Sequence, residues 1–176
     1  MHGINETLAF VPVRIAVLTV TDSRDFASDT SGAALAGRIE AAGHVLADRK
    51  IAPDDKAEIQ AAVKAWIDDP TIDVVITTGG TGLTGRDVTP EALSPLFEKV
   101  IEGFSVIFHQ VSFESVGLST LQSRATAGLA KGTFIFALPG STGAVKDGWD
   151  KVISWQLDSR HMPCNLVELM PRLMET

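Results

Sequence analysis

Much of the chemistry this chain can offer sits in one short run: Thr78, Gly79, Gly80, Thr81, Gly82, Leu83, Thr84, Gly85, Arg86 and Asp87. Glycines and threonines at this density present open backbone N–H groups and hydroxyls, the donors that cradle an anion, and phosphate is their natural guest. Gly80, Gly82 and Gly85 match a dinucleotide-binding fingerprint letter for letter. That fingerprint opens its helix within the glycines, whereas here Arg86, Asp87, Val88 and Thr89 intervene before Pro90. No strand ending in an acid follows about 20 residues on, so a nicotinamide cofactor is disfavoured. A P-loop fails differently, because Arg86 and Asp87 stand where a phosphate-gripping lysine and a metal-binding hydroxyl are needed.

Asp87 has the most to explain. An acid inside a phosphate loop repels its guest unless a divalent cation lies between them, which points to Mg2+. The competing role is to order the loop by accepting from backbone N–H groups, or to supplement a helix cap at Thr89. Two other loops share the composition: one holds Thr21, Asp22 and Ser23, the other Pro139, Gly140, Ser141 and Thr142. Asp22 can orient a ligand or cap its own turn. Ser141 and Thr142 can donate to a phosphate or cap the helix they open, and Arg86 can grip a phosphate in a fork or stay solvated. Ser23, Ser123 and Arg124 are lesser candidates of the same kind. Asp54, behind Pro53 at a helix start, reads first as an N-cap. His44, His109 and His161 lack a neighbouring acid or nucleophile and read as structural; Trp149 and Trp155 read as packing or subunit-contact residues.

The elements that must position these loops follow from apolar periodicity. Residues 13–20 and 72–77 are nearly continuous apolar, β-branched runs, the pattern of strands covered on both faces; 44–51 is a weaker strand. Helices are predicted over 31–42, with Leu35 and Ile39 inward, and after Asp54, with Ile59, Val63, Trp66 and Ile67 on one face. Thr89 is read as an N-cap with Pro90 at the first helical position. Residues 104–121 read as helix, 125–131 and 133–138 as strands, and a last helix opens at Ser141 and runs to about Leu157. Strands alternating with helices predict an α/β fold with a mostly parallel sheet covered on both faces, in which the three loops lie at the carboxyl ends of strands and converge on one crevice.

A chain of 176 residues, 45% hydrophobic and 21% charged, fits one folded domain with a core at about 13–157 and terminal arms at 1–12 and 158–176. Met162, Leu166, Leu169 and Met170 in the second arm must pack on the domain or wrap a neighbouring subunit. The net charge of −7 with no basic stripe argues against nucleic acid. One cysteine, Cys164, excludes an intramolecular disulfide framework, and no Cys/His spacing suggests zinc. Without a signal-like N-terminus or an apolar run of ~18 residues, no membrane association is expected and the cytoplasm is the default compartment.

The residues from Thr77 through Gly82, continuing through Arg86, Asp87, Val88, Thr89, Pro90 and Glu91, resemble over their whole length the signature of the molybdenum cofactor biosynthesis proteins of the MoaB and MogA type. That family includes molybdopterin adenylyltransferase. Supporting matches are Thr21, Asp22, Ser23 and Arg24 after the first strand, Pro53 and Asp54, and Leu138, Pro139, Gly140, Ser141 and Thr142; together they span most of residues 13–165. Trp149, Gln156, Leu157, Asp158, Arg160, Pro163, Cys164 and Asn165 resemble the B-type branch in particular.

The resemblance implies a three-layer αβα sandwich, a homo-oligomer (trimer or hexamer), and a pocket for a pterin and its phosphate. The implied reaction joins molybdopterin to the AMP moiety of ATP, with Mg2+, and releases pyrophosphate. It assigns catalysis to Asp54 and Asp87, with Asp87, and alternatively Asp54, holding the metal. Ligand contacts fall on Thr21, Asp22, Ser23, Thr78, Gly79, Gly80, Thr81, Gly82, Arg86, Thr89, Glu91, Pro139, Gly140 and Ser141. A non-catalytic molybdopterin-binding or scaffold protein of the same pathway is the alternative.

Overall fold

The structure is a computed structural model in which residues 3–175 are described. In chain order its elements begin with β1 (Gly3–Ile4), β2 (Arg14–Val20), α1 (Thr30–Ala41), β3 (Val45–Ala52), α2 (Lys56–Ile67), β4 (Val74–Thr78) and α3 (Thr89–Leu93). They continue with β5 (Lys99–Val100), α4 (Glu102–Val116), β6 (Thr126–Ala130), β7 (Thr133–Leu138), α5 (Thr142–Gly148), α6 (Ser154–Leu157) and β8 (His161–Met162). Six strands form one sheet in the order β3-β2-β4-β7-β6-β5, parallel across β3, β2, β4 and β7 and antiparallel at the β6 and β5 edge.

Period-2 alternation divides the core in two. Ile15 and Val17 of β2, Val74 and Ile76 of β4, and Phe134 and Phe136 of β7 face α1, α4, α5 and α6. Ala16, Leu18, Val75, Ile135 and Ala137 face the other way, toward Ile59, Val63 and Trp66 of α2 and Leu93 of α3. Each fully buried large aliphatic side chain contributes roughly 2 kcal/mol relative to exposure, so burial on both faces is what holds the parallel strands. This is the expected αβα layering. Among the described residues no helix is long and apolar enough to cross a membrane.

Several local expectations change. The N-cap of α2 is Asp55, whose carboxylate accepts from the Ala57 and Glu58 N–H groups at 2.8 and 3.1 Å; Asp54 is left free of that task. Thr89 does not cap α3: it already lies inside the helix, behind Val88, and its hydroxyl donates to the Gly79 carbonyl at 2.8 Å. The helix expected over 104–121 ends at Val116, where Gly117 turns with φ 60°, and 3-10 turns follow to Gln122. The last helix is interrupted between α5 and α6 by a π turn, Trp149–Ile153. Nor did periodicity reveal the two-residue strands: β1 pairs with β8, tying the N-terminal arm to the C-terminal one, and Val11 N donates to Ser159 Oγ at 2.8 Å. The C-terminal arm packs on its own domain, with Val167 buried and Leu166, Met170 and Leu173 against the α1/α4/α5 side of the core.

One buried carboxylate sets the entry to α1. Asp29, with a fully buried side chain, caps the helix by accepting from Gly32 N at 2.8 Å, and takes the Thr19 hydroxyl at 2.6 Å and Arg49 Nη2 at 2.8 Å. Burial alone would raise its pKa, but the bonds from Thr19, Arg49 and Gly32 outweigh it and hold the carboxyl below its ordinary value. Asp29→Asn is expected to cost about 2 kcal/mol in urea unfolding at neutral pH, because it removes one partner of a buried charged pair. A depressed folded pKa adds stability above the unfolded value and loses it as pH falls through the folded one. The gap between wild type and variant should therefore begin to close as the pH drops below about 3.9 and vanish below the folded pKa, and a gap that never narrows there would exclude the ion pair as its source.

Candidate functional site

The ends of β2, β4 and β7 meet at Gly79. Its N–H donates to Leu138 O at 3.0 Å, its carbonyl accepts from Thr89, and Thr78 Oγ1 donates to Pro139 O at 2.9 Å. At φ 107° Gly79 is in a conformation that L side chains rarely adopt, and a Cβ there would run into the Val20 carbonyl. Gly80 follows at φ 64°, where a Cβ would lie 3.0 Å from Asp54 Oδ1 and against the Thr89 hydroxyl. Only glycine lets the chain turn here while a strand end and a carboxylate approach it.

Above this junction lies a cleft of about 620 Å3, a volume suited to a small organic ligand. All three strand-end loops reach it: Thr21 and Ser23 from the first, Thr78, Gly79, Gly80, Thr81 and Gly82 from the second, Pro139, Gly140 and Ser141 from the third. Asp54 and Asp87 line it too. The Ser141 hydroxyl accepts from Ala144 N at 3.2 Å, so the residue caps α5 while facing the cleft. A second cavity, about 560 Å3, is chiefly apolar, with Phe104, Ile107, Phe136 and Trp155 in its wall, and carries no carboxylate.

Ser123, a lesser sequence candidate, also lines the cleft, whereas Arg86, Asp22, Glu91, Thr89, Arg124 and Thr142 hold protein partners and do not. Arg86 reaches Asp22 Oδ2 through Nε at 2.9 Å and Nη2 at 2.7 Å, while Asp22 Oδ1 accepts from Asp54 N at 3.0 Å. Arg86 and Asp22 thus brace the backbone of Asp54. Glu91 pairs with Arg124, and Thr89 is buried. Arg124, read above as a lesser candidate, ties the glycine loop from behind: its N–H donates to Thr81 O at 2.9 Å, Nε to Gly82 O at 2.7 Å and Nη2 to Asp87 O at 2.7 Å.

The two candidate catalytic carboxyls differ. Burial raises the pKa of Asp54 above its ordinary value, repulsion from Asp22 and Asp87 adds to this, and Arg86 opposes it. No side-chain hydrogen bond reaches the Asp54 carboxylate among the described residues. Asp87 feels burial as well, yet Thr84, donating to Oδ2 through N–H at 2.9 Å and Oγ1 at 2.6 Å, and the Gly82 backbone hold its carboxyl below the ordinary value. Asp87 therefore orders its loop, as the structural reading of it required. Among the described residues no group of three or more His, Cys, Asp or Glu is arranged to hold a metal. A cation here would meet one or two carboxylates and complete its shell with water and phosphate, the usual habit of Mg2+.

Sequence reasoning missed the wall opposite the loops. Ser112 and Ser115 of α4, then Ser119 and Gln122 beyond it, face the same cleft. Their spacing of three, four and three residues was a readable signal, a hydroxyl stripe along one face of a helix and its continuation.

A family described as a probable molybdopterin binding domain matches residues 16–159. The chain is 50% identical over 156 residues to the molybdenum cofactor biosynthesis protein B of Escherichia coli K12, covering 89% of this chain and 92% of that one. A crystal structure of a molybdenum cofactor biosynthesis protein B superposes with TM-score 0.83 at 41% identity, covering 85% of this chain and 94% of the other. A MogA structure superposes with TM-score 0.71 at 30% identity over 78% and 90%. Of these three, the two B proteins share more of their sequence with this chain.

If repulsion contributes to the raised Asp54 pKa, Asp22→Asn should lower it. Carboxyl 13C NMR would show the Asp54 titration moving to lower pH, and an unmoved midpoint would rule out that repulsion.

Proposed function

The chain belongs to the molybdopterin-binding family of molybdenum cofactor biosynthesis proteins, and on that premise we propose that it adenylylates molybdopterin with ATP. A phosphate oxygen of the pterin forms a bond to the α-phosphorus of ATP, the bond from that phosphorus to the β-phosphate bridge breaks, and pyrophosphate leaves. The observation that carries this reading is the convergence of three strand-end loops and two aspartates on one cleft. The attacking group is already an anion, so the protein has to align two phosphates and offset their charge rather than remove a proton.

The residues divide accordingly. Backbone N–H groups of the glycine loop and the hydroxyls of Thr21, Ser23 and Ser141 suit phosphate oxygens, and the serine wall of α4 suits the polar edge of a heterocycle. Asp87 and Asp54 are hard oxygen donors, and a divalent cation would relieve the repulsion that adds to burial in raising the Asp54 pKa, so these two would hold Mg2+. Bound there, it would screen the phosphates from the carboxylates and from each other. Asp54, braced through its backbone by Asp22 and Arg86, would keep its position as ligands enter.

A second reading, a protein that holds molybdopterin without transfer, draws on the bonds that already engage Asp87 within its loop. The two separate in one assay. With Mg2+, ATP and molybdopterin, the wild type should release pyrophosphate and Asp87→Asn should lose about 100-fold or more in rate with an unchanged circular dichroism spectrum. Pterin binding without pyrophosphate release by the wild type would favour the holder.

We also propose that the chain assembles with copies of itself through α4 and the turns after it. Val106, Phe113, Leu118 and Leu121 are all more than half exposed, a density of apolar surface that monomers rarely keep. Light scattering should give a multiple of the chain mass, and Phe113→Glu should reduce it. A wild type running at the mass of one chain would end this reading.

A further inference from the structure

The basic side chains around the cleft are nearly all committed to the protein. Arg86 forks onto Asp22. Arg124 is divided among Glu91 and two loop carbonyls. Arg49 lies against Asp29, and Lys151 pairs with Asp147 at 3.0 Å, which offsets the third carboxylate of the cleft wall. Arg24 differs from all of these. It is the single basic residue lining the cleft among the described residues, it is exposed, and it makes neither a hydrogen bond nor an ion pair.

Its position gives this freedom a direction. Arg24 lies on the loop that leaves β2, four residues beyond Val20, the residue whose carbonyl closes on Gly79. The same loop brings Thr21 and Ser23 to the cleft, so Arg24 lines the same space as the glycine loop. Asp54 and Asp87 give that space a negative character, and a phosphoryl group entering it needs fixed positive charge that no other side chain of the wall has to offer. A guanidinium held by no protein acceptor keeps its fork of N–H donors for an incoming oxyanion.

We propose that Arg24 is the phosphate-recognising cation of the cleft, and that Arg86, which sequence spacing singles out, serves instead to brace Asp54. The inference rests on reading the cleft as a phosphoryl site. It adds the specificity element: ligands that carry phosphate are retained through Arg24, and their unphosphorylated counterparts are not.

The test is calorimetric titration of the full-length protein with inorganic pyrophosphate in Mg2+ buffer, for wild type, Arg24→Ala and Arg24→Lys. Loss of a charge-assisted fork should weaken pyrophosphate binding by about tenfold or more in Arg24→Ala, and lysine, keeping charge without the fork, should fall between. The melting temperature of both variants should equal that of wild type, since Arg24 has no protein partner to lose. If wild type binds pyrophosphate and Arg24→Ala binds it equally well, the inference is overturned and the phosphoryl-site reading stands. Weaker binding together with a lowered melting temperature overturns it too, because Arg24 would then be structural. A wild type that binds no pyrophosphate removes both the inference and the reading beneath it.

Discussion

The site depends on how closely three strand ends can approach one another. β2, β4 and β7 run parallel and finish together, and the chain leaving β4 must turn at once with the Val20 carbonyl on one side and Gly140 on the other. A Cβ on Gly140 would lie 3.1 Å from the Gly79 Cα, and one on Gly79 would collide with Val20. Close packing of backbone on backbone is therefore the condition for the loops to share a cleft; glycine is required at 79, and at 140 any Cβ would press on the Gly79 backbone. The core below makes the condition rigid, because shifting any of these strands by one residue would exchange the side chains of its two faces.

Charge imposes the second constraint. The glycine loop, whose composition suits an anion, carries Asp87 within it and Asp54 against Gly80, and both are partly buried. The protein answers the two differently. Asp87 is answered locally, by the Thr84 N–H and hydroxyl and by the nearby Arg124, which hold its carboxyl below the ordinary value despite burial. Asp54 is fixed through its backbone, with Asp22 accepting from the backbone N–H and Arg86 holding Asp22, while burial and the nearby carboxylates outweigh Arg86 at its own carboxylate. Burying a charge with no side-chain hydrogen bond costs free energy, and on the proposed reading a cation that arrives with the ligand would offset that cost.

What could be read in the sequence, and what could not, follows from the range of each interaction. The strands at 13–20 and 72–77 and the inward faces of α1 and α2 were legible because periodicity is local and strong. The three loops were legible because strand order puts them at one end of a parallel sheet. The caps were misjudged at two places where residue type alone cannot decide. Asp54 and Asp55 both suit an N-cap, and the choice falls to Asp55 because Asp22, from 32 residues away, holds Asp54 N. Thr89 has a cap's chemistry, but its hydroxyl is drawn to Gly79, a partner ten residues earlier. Asp29 with Arg49 and Glu91 with Arg124 are pairings that no short window contains. The serine wall was hidden for another reason: attention to glycine-rich loops passes over a helix whose hydroxyls point the same way.

These long-range pairings also explain why an exposed, unpaired arginine carries meaning in this fold. Arginines on a protein surface are commonly solvated, and one of them unpaired is no signal by itself. Around this cleft the background is different, since Arg49, Arg86, Arg124 and Lys151 each satisfy a carboxylate of the framework. The framework has consumed the positive charge available for ordering its own loops. On the proposed reading, a site that attracts phosphate while keeping two aspartates can add to its backbone N–H groups and hydroxyls a metal ion that arrives with the ligand and a cation left out of the framework. Asp54 and Asp87 suit the first, and Arg24 is the residue that suits the second.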